Sequence, residues 1–267
     1  MPALALQGFG LVGTTLLRRL RAPVPAALLS QVTTTTTPHP EWQPGQNQPH
    51  PYGDSERVAL DPAALASCYG LVISSGVPRP IAFVSSLDSE GRRNLAPFSY
   101  FNFVAHDPPL VAIGICRKRG EKKDSLANIE ARGEFVVSIM SDWFIESANH
   151  CCGDFSSDVD EMALSGLTAA RAKIVEPPLV AESAINMECK LVHKYEVKNA
   201  AGTDTTTVVI GQVVMFHVLE AVLDTVTHGP TKPTVHFDKL RPIARLGGNT
   251  YGIVNTVFDL PRPDRKV

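Results

Sequence analysis

The chain has 267 residues, of which 44% are apolar, and a formal net charge of -2. This length allows one large core or two small ones, and the near-neutral charge argues against a general polyanion-binding protein. No apolar run is long enough for a transmembrane helix, and the five cysteines lack paired spacing. We therefore expect a soluble intracellular protein with reduced thiols.

The first 37 residues differ in composition from the rest of the chain. They contain three arginines, no acidic residue and the threonine run 33–37. Such a start is typical of a mitochondrial transit peptide, but it also fits a disordered tail with no targeting role. We predict a disordered leader over residues 1–37, with the cytoplasm and the mitochondrion as alternative locations, and a folded domain over residues 38–267.

A glycine pattern inside the leader matches a dinucleotide-binding motif. Gly8, Gly10 and Gly13 fit G-x-G-x-x-G, which requires a strand before it, and a helix and a second parallel strand after it. Only seven residues precede Gly8, prolines follow at Pro23 and Pro25, and the threonine run occupies the place of the second strand. We interpret the match as chance and reject a Rossmann domain.

Two β-rich runs form the centre of the folded domain. Residues 79–87 and 94–102 are joined by the turn-forming residues 88–91, and this arrangement predicts a β-hairpin. The first run is almost wholly apolar, and the second contains small hydrogen-bonding residues among aromatic ones. The hairpin can line a flat, apolar cleft edged with polar groups, or it can be an ordinary part of a β core.

The other elements are predicted from chain breakers and from β-branched residues. We expect a short helix over 61–67, a helix over 142–148, a Gly-Gly loop within 241–251, and strands over 71–75, 110–116, 134–140, 185–195 and 205–217. The last two strands have the Val, Ile and Thr content of barrel walls.

A basic loop precedes a further predicted helix over residues 124–132. Residues 117–123 contain five cations, and Gly133 ends the helix. A basic loop at a helix N-terminus supplies free backbone N–H groups, the positive end of the helix dipole and lysines, which together suit a phosphate. A solvated basic loop and a nucleic-acid or nuclear-import patch are the alternatives.

The run His150-Cys151-Cys152 is a candidate metal site. Adjacent cysteines cannot easily bind one ion through both side chains, and no second ligand pair lies at zinc-site spacing. We therefore predict no metal.

Five motifs in chain order resemble the flavin reductase-like family. They are PRPI at 78–81, NLAPFSYF at 94–101, DPP at 107–109, KDSLANI at 123–129 and RPIARLGG at 241–248. The run at 38–45 is similar to the extended branch of that family found in fungi. The resemblance covers residues 38–263 and implies a mainly β fold with peripheral helices, an FMN-binding split β-barrel of the Greek-key type.

The resemblance also implies an FMN site. The strand through Val84, Ser85 and Ser86 would meet the isoalloxazine edge, and Lys123 and Ser125 would hold the phosphate. The following run would lie beneath the ring and the ribityl chain through Asn94, Ala96, Phe98, Ser99 and Asn102. Two departures from the family pattern are Ser125, where threonine is usual, and loop 117–122, which lacks the usual mixture of glycine and proline.

The family's chemistry is that of the flavin, so no catalytic acid, base or nucleophile is required. We expect His106, Arg245 and Tyr251 to shape the outer face of the site. The leading hypothesis is an FMN-dependent NAD(P)H oxidoreductase, and the alternative is an FMN-binding electron carrier without direct NAD(P)H turnover. The resemblance implies a homodimer with flavin sites near its interface and allows an electron-accepting protein partner, and we expect no nucleic-acid or membrane partner. The electron acceptor, the choice of NADH or NADPH and the tightness of FMN binding are left open.

Overall fold

The computed structural model describes residues 32–48 and 50–263. Most of the predicted leader, including the G-x-G-x-x-G match, lies outside these residues. Two members of the threonine run, Thr33 and Thr34, form a short strand parallel to Thr256–Val257. Within the described part of the chain, no helix is both long enough and apolar enough to cross a membrane.

The fold is mainly β with short peripheral helices, which confirms the predicted fold class. The strands in chain order are β1 (Thr33–Thr34), β2 (Ala82–Leu87), β3 (Arg93–Phe98), β4 (Phe101–His106), β5 (Pro109–Cys116), β6 (Glu134–Ile139), β7 (Ala169–Ala170), β8 (Leu179–Val180), β9 (Ile185–Lys198), β10 (Asp204–Val218), β11 (Leu223–Asp224), β12 (Thr234–Val235), β13 (Ile243–Gly247), β14 (Thr250–Ile253) and β15 (Thr256–Val257). The α-helices are α1 (Tyr69–Ser75), α2 (Asp124–Arg132), α3 (Ile145–His150), α4 (Glu161–Leu164) and α5 (Phe237–Leu240), and short 3-10 turns lie at Pro62–Ala64, Asp142–Phe144 and Glu220–Val222.

Seven antiparallel strands form the main sheet, in the order β3-β2-β6-β9-β10-β5-β4. Its two edge strands, β3 and β4, are consecutive in the chain with only Ser99 and Tyr100 between them. Two residues span little distance, so the two edges must meet there. The edge strand β3 also contacts β5, which lies next to the opposite edge strand. The sheet is therefore curled into a barrel.

Alternate residues of the strands form the barrel interior. In β5, Val111, Ile113 and Ile115 are fully buried and the residues between them are partly exposed, as the two-residue period of a strand requires. Leu126 and Ile129 of α2 join the same core. Helix α2 is therefore fixed to the barrel by its apolar face, beside β2 and β3.

A close approach across the interior explains a glycine in β10. A Cβ atom on Gly211 would lie 2.9 Å from Cε1 of Phe135 in β6 and closer still to Cζ. Phe135 is fully buried, so its ring has little room to move. Glycine at 211 lets this large side chain fill the barrel.

A second apolar layer covers the outer face of β2 and β3. Phe83 and Leu95, which alternate with the inward residues, are fully buried beneath residues of the 140–167 segment and of β13. Because this layer packs on β3, it fixes the polar residues of α4 beside the barrel wall.

A buried carboxylate holds the connection that precedes β8. Glu188 is fully buried, and it accepts hydrogen bonds from the backbone N–H groups of Lys173, Ile174 and Val175 at 2.8, 2.6 and 2.8 Å. Nε2 of His217 lies 2.5 Å from the same carboxylate. Burial acts to raise the pKa of Glu188, but the hydrogen bonds from His217 and the three N–H groups lower it to about 2.

The second run of the predicted hairpin is not one strand. β3 pairs with β2 as predicted, but the chain bends at Ser99 and Tyr100, and β4 pairs with β5 at the opposite edge. The hairpin prediction was therefore right to Phe98 and wrong beyond it. Local sequence carried no signal for this bend, because barrel closure is a long-range contact.

Residues 71–75 were predicted as a strand and lie in helix α1. The N–H of Val72 donates to the carbonyl of Cys68 at 2.9 Å, and Ile73 is the buried residue of the helix. An apolar run this short has no period that separates helix from strand. The helix predicted over 61–67 is only the 3-10 turn Pro62–Ala64, and the one over 142–148 starts with the 3-10 turn Asp142–Phe144.

Candidate active site

A cleft of about 530 Å³ lies among β3, the start of α2, the loop before α2 and residues 151–161. This volume is in the range of small-ligand sites. Five residues predicted to bind a cofactor line the cleft, namely Asn94, Ala96, Phe98, Lys123 and Ser125. The structure thus brings together two motifs that lie about thirty residues apart in the sequence.

The start of α2 forms one end of the cleft and is suited to an anion. The backbone N–H groups of Asp124 and Ser125 have no hydrogen-bond partner among the described residues. Lys123 precedes them, and its Nζ lies 5.6 Å from the centre of the Phe98 ring. Unpaired N–H groups, the positive end of the helix dipole and a lysine together favour a negatively charged group.

Buried polar side chains support the wall of the cleft behind α2. Nδ2 of Asn94 donates to Oγ of Ser125 at 2.8 Å, and Nδ2 of Asn128 donates to Oγ of Ser86 at 3.1 Å. Ser125 donates to no described residue, so its O–H remains available to a ligand. Ser86 therefore takes part through this network, one step behind the cleft surface.

The loop before α2 is a tight hairpin with little free charge. Arg119 and Gly120 have φ angles of 52° and 85°, and Lys118 and Glu121 exchange backbone hydrogen bonds on either side of them. Three of the five cations pair with carboxylates of the same chain, Arg117 with Glu196, Lys118 with Asp154 and Lys122 with Glu130. Arg119 and Lys123 make no ion pair with a described residue, so they are the cations left for a ligand.

Glu161, at the start of α4, lines the cleft opposite α2. It is only 8% exposed, and its Oε2 accepts the backbone N–H of Leu95 at 3.0 Å. Burial raises the pKa of the Glu161 carboxyl. Glu161 was not predicted as a site residue, because several acids occur between 154 and 161 and nothing in their spacing distinguishes one of them.

Cys151 and Cys152 also line the cleft, but in different ways. Cys151 is buried, with its Sγ 3.3 Å from Oγ of Ser165, and burial raises its pKa to about 11. Cys152 is exposed at the rim. Among the described residues, no three His, Cys, Asp or Glu side chains come together as a possible metal site.

Four residues predicted to contact the cofactor lie elsewhere. Val84 packs in the barrel interior, and Ser85 is fully buried with no hydrogen-bond partner for its Oγ. Neither side chain lines the cleft. Ser99 and Asn102 line a separate groove at the point of barrel closure, where Nε of Arg79 lies 3.4 Å from Oγ of Ser99.

Two of the three residues predicted to shape the outer face lie beside Cys152 of the cleft, although neither lines the cleft itself. The guanidinium carbon of Arg245 is 4.3 Å from the centre of the Tyr251 ring, and Tyr251 donates its O–H to Oδ1 of Asn149 at 2.7 Å. Burial raises the pKa of Tyr251, and the adjacent Cys152 adds to this effect. His106 lies apart at the end of β4, paired with Pro109, and does not line the cleft.

Comparison with known proteins identifies the family of this chain and its fold. Residues 74–240 match the family model described as a flavin reductase like domain, which is more than half of the chain. The structure is similar to nitrilotriacetate monooxygenase component B from Bacillus cereus, with a TM-score of 0.72 and 34% identity over 77% of this chain and 100% of that one.

Two further solved structures agree. The 2-nitrobenzoate 2-nitroreductase of Pseudomonas fluorescens has a TM-score of 0.68 and 30% identity over 78% of this chain and 98% of that one. A putative flavin reductase with a split barrel domain from Shewanella frigidimarina has a TM-score of 0.64 over 75% of this chain and 96% of that one, and at 22% identity it supports the fold alone. The barrel described above is a split β-barrel, and the family implies a flavin cofactor and oxidoreductase chemistry. This chain belongs to the flavin reductase-like family.

Proposed function

We propose that this protein is an FMN-dependent NAD(P)H oxidoreductase of the flavin reductase type. The observation that carries the proposal is a single cleft with two chemically different ends. Ala96 and Phe98 give one wall an apolar surface, and Lys123 with the unpaired N–H groups of α2 forms an anion site beside it. FMN has the same two parts, a planar ring and one phosphate.

The residues of the cleft fit this cofactor. Lys123, the Ser125 hydroxyl and the N–H groups of Asp124 and Ser125 would hold the phosphate. Asn94, already hydrogen-bonded to Ser125, would fix the hydroxyl for that contact. Phe98 and Ala96 would contact the ring system, supported from behind by the buried Val84 strand.

When bound, the flavin would accept a hydride from reduced nicotinamide and pass electrons onward. The role of the protein is to bind the ring, to orient it and to exclude water from it. Arg245 and Tyr251 stack on one another beside Cys152 and would shape the face at which the nicotinamide arrives.

We also propose a homodimer and an electron-accepting protein partner. Apolar side chains on the outer barrel surface support the dimer, since Phe103, Val104 and Tyr195 are 48, 54 and 63% exposed. The partner is supported by the similarity to a protein named as one component of a monooxygenase. Size-exclusion chromatography with light scattering tests the dimer, and a monomer at every concentration would contradict it.

The absorbance spectrum of the purified protein, before and after desalting and after loading with FMN or FAD, tests the cofactor. A protein that neither carries nor takes up FMN would rule out the proposal. Stopped-flow mixing of the loaded protein with NADH or NADPH then tests the reaction. Bleaching of the flavin faster than in buffer supports the oxidoreductase, whereas FMN binding without bleaching supports the alternative, an FMN-binding electron carrier.

A further inference from the structure

Glu161 places a carboxyl group in the cleft that contains the anion site. Its Oε2 accepts the N–H of Leu95, and the preceding residue, Asn94, donates to Ser125 in the first turn of α2. Glu161 and Ser125 line the same cleft. Among the described residues, Oε1 of Glu161 accepts no hydrogen bond from any other residue, so one oxygen is available to a ligand. A carboxyl group in the same cleft as an anion site repels the anion when it is ionised and does not when it is neutral.

We propose that Glu161 makes phosphate recognition in this cleft dependent on pH. As a neutral acid Glu161 donates a hydrogen bond to the phosphate end of the flavin, and as a carboxylate it repels that group. This inference rests on the proposed function. It identifies Glu161 as the residue whose ionisation state sets how strongly the site binds the phosphate.

The charged surroundings of Glu161 favour the neutral acid. Burial raises its pKa first, the carboxylates Asp124 and Asp160 act in the same direction, and the N–H of Leu95 opposes them. Asp160 is itself paired with Arg93 of β3 at 2.5 Å. Lys123 and Arg119, which line the same cleft, are the cations left for the ligand. The neighbouring thiol of Cys151, with its pKa raised to about 11, stays uncharged at neutral pH.

The direction in which phosphate affinity changes with pH follows from the linkage between phosphate binding and protonation of Glu161. A phosphate bound near Glu161 raises the pKa of this residue further, because two like charges disfavour each other. Binding therefore takes up a proton, and phosphate affinity falls as the pH rises between the two pKa values. The second ionisation of the phosphate itself, near pH 6, acts in the opposite direction, because the dianion is attracted more strongly by Lys123. A variant that lacks only the ionisable group separates the two effects.

The test compares dissociation constants of FMN and riboflavin by flavin fluorescence, from about pH 5 to about pH 8, a range that spans the phosphate ionisation. The proteins are wild type, Glu161→Gln and the control Asp160→Asn, which keeps a good N-cap for α4. We divide the dissociation constant of wild type for FMN by that of Glu161→Gln. We expect this ratio to be near one at the acid end of the pH range and to reach about ten at the alkaline end. The same ratio for riboflavin should not change with pH. Asp160→Asn should retain the pH dependence of wild type but with its midpoint at lower pH, because one carboxylate that raises the pKa of Glu161 is removed.

A ratio for FMN that is independent of pH, or that changes equally for riboflavin, would overturn the inference and leave the proposed function standing. Failure of the wild type to bind either flavin would overturn both. If Glu161→Gln does not fold, calorimetry of the wild type in buffers of different ionisation enthalpy gives the same answer, provided that it is done above about pH 7, where the phosphate is already a dianion and contributes little proton exchange. Net proton uptake with FMN but not with riboflavin supports the inference, and its absence contradicts it.

Discussion

Replacement of Lys123 by alanine tests whether the start of α2 holds the flavin phosphate. The ammonium group of Lys123 makes no ion pair with a described residue, and its described contact is the face of the Phe98 ring at 5.6 Å. Removal of this group therefore leaves no carboxylate of the protein without its partner. We expect little change in stability and a loss of affinity confined to ligands with a phosphate.

The size of that loss follows from the kind of contact. A hydrogen bond to a charged group contributes about 1.5–3 kcal/mol. Lys123 is exposed, so solvent and salt screen the interaction and favour the lower end of this range. A loss of about 1.5–2 kcal/mol of binding free energy corresponds to a roughly 10- to 30-fold higher dissociation constant. The difference between variant and wild type should shrink as salt is added.

The assay is a fluorescence titration of each variant with FMN and with riboflavin. Lys122→Ala is the matched control, because the neighbouring lysine is already paired with Glu130 and should change FMN affinity by less than about threefold. Unchanged FMN affinity in Lys123→Ala, or an equal loss for riboflavin, would show that the phosphate does not lie at α2.

Three further predictions concern the barrel. Glu188→Gln should lower the free energy of unfolding by about 3–5 kcal/mol in urea titrations, because the NH2 group of the amide cannot accept the hydrogen bonds that one carboxylate oxygen receives from buried N–H groups, and a loss below about 1 kcal/mol would contradict this. The pKa of Glu188 is lowered from 4.5 to about 2 on folding, so its stabilisation is complete above about pH 4.5 and is lost as the pH falls towards 2. Wild type should therefore lose up to about 3 kcal/mol over that window, and Glu188→Gln should lose less. Gly211→Ala should cost about 1–3 kcal/mol by overpacking, and adding Phe135→Leu should recover part of the loss, whereas an additive double variant would contradict the proposed clash.

Local signals in the sequence were sufficient for helix α2 and for the central strands. Helix α2 follows the basic loop and stops at Gly133, whose φ of 69° is the left-handed conformation that glycine adopts easily. Strand β5 was predicted over 110–116 and lies at Pro109–Cys116, because alternating apolar residues between proline and a basic loop allow little else. The strand prediction for residues 71–75 was wrong because five apolar or small residues fit either a helix or a strand.

The candidate site was predicted in part. Asn94, Phe98, Lys123 and Ser125 were expected to act together and do line one cleft. Glu161 was missed because its importance comes from burial against Leu95, which no local pattern reports. The pairing of most of the basic loop with carboxylates was also beyond sequence reasoning, since the partners lie far away in the chain.

The sequence by itself determined the class of fold, the family resemblance and the identity of the groups that can hold a ring and a phosphate. These depend on residue type and on short-range spacing, which the chain carries directly. Only the tertiary structure decided that the chain bends at Ser99 to close the barrel, that Val84 is withdrawn into the core, and that Glu161 lies in the cleft that contains the anion site. The physical reason is the same in each case. Burial and charge pairing depend on which residues distant in sequence come into contact, and tertiary packing determines those contacts.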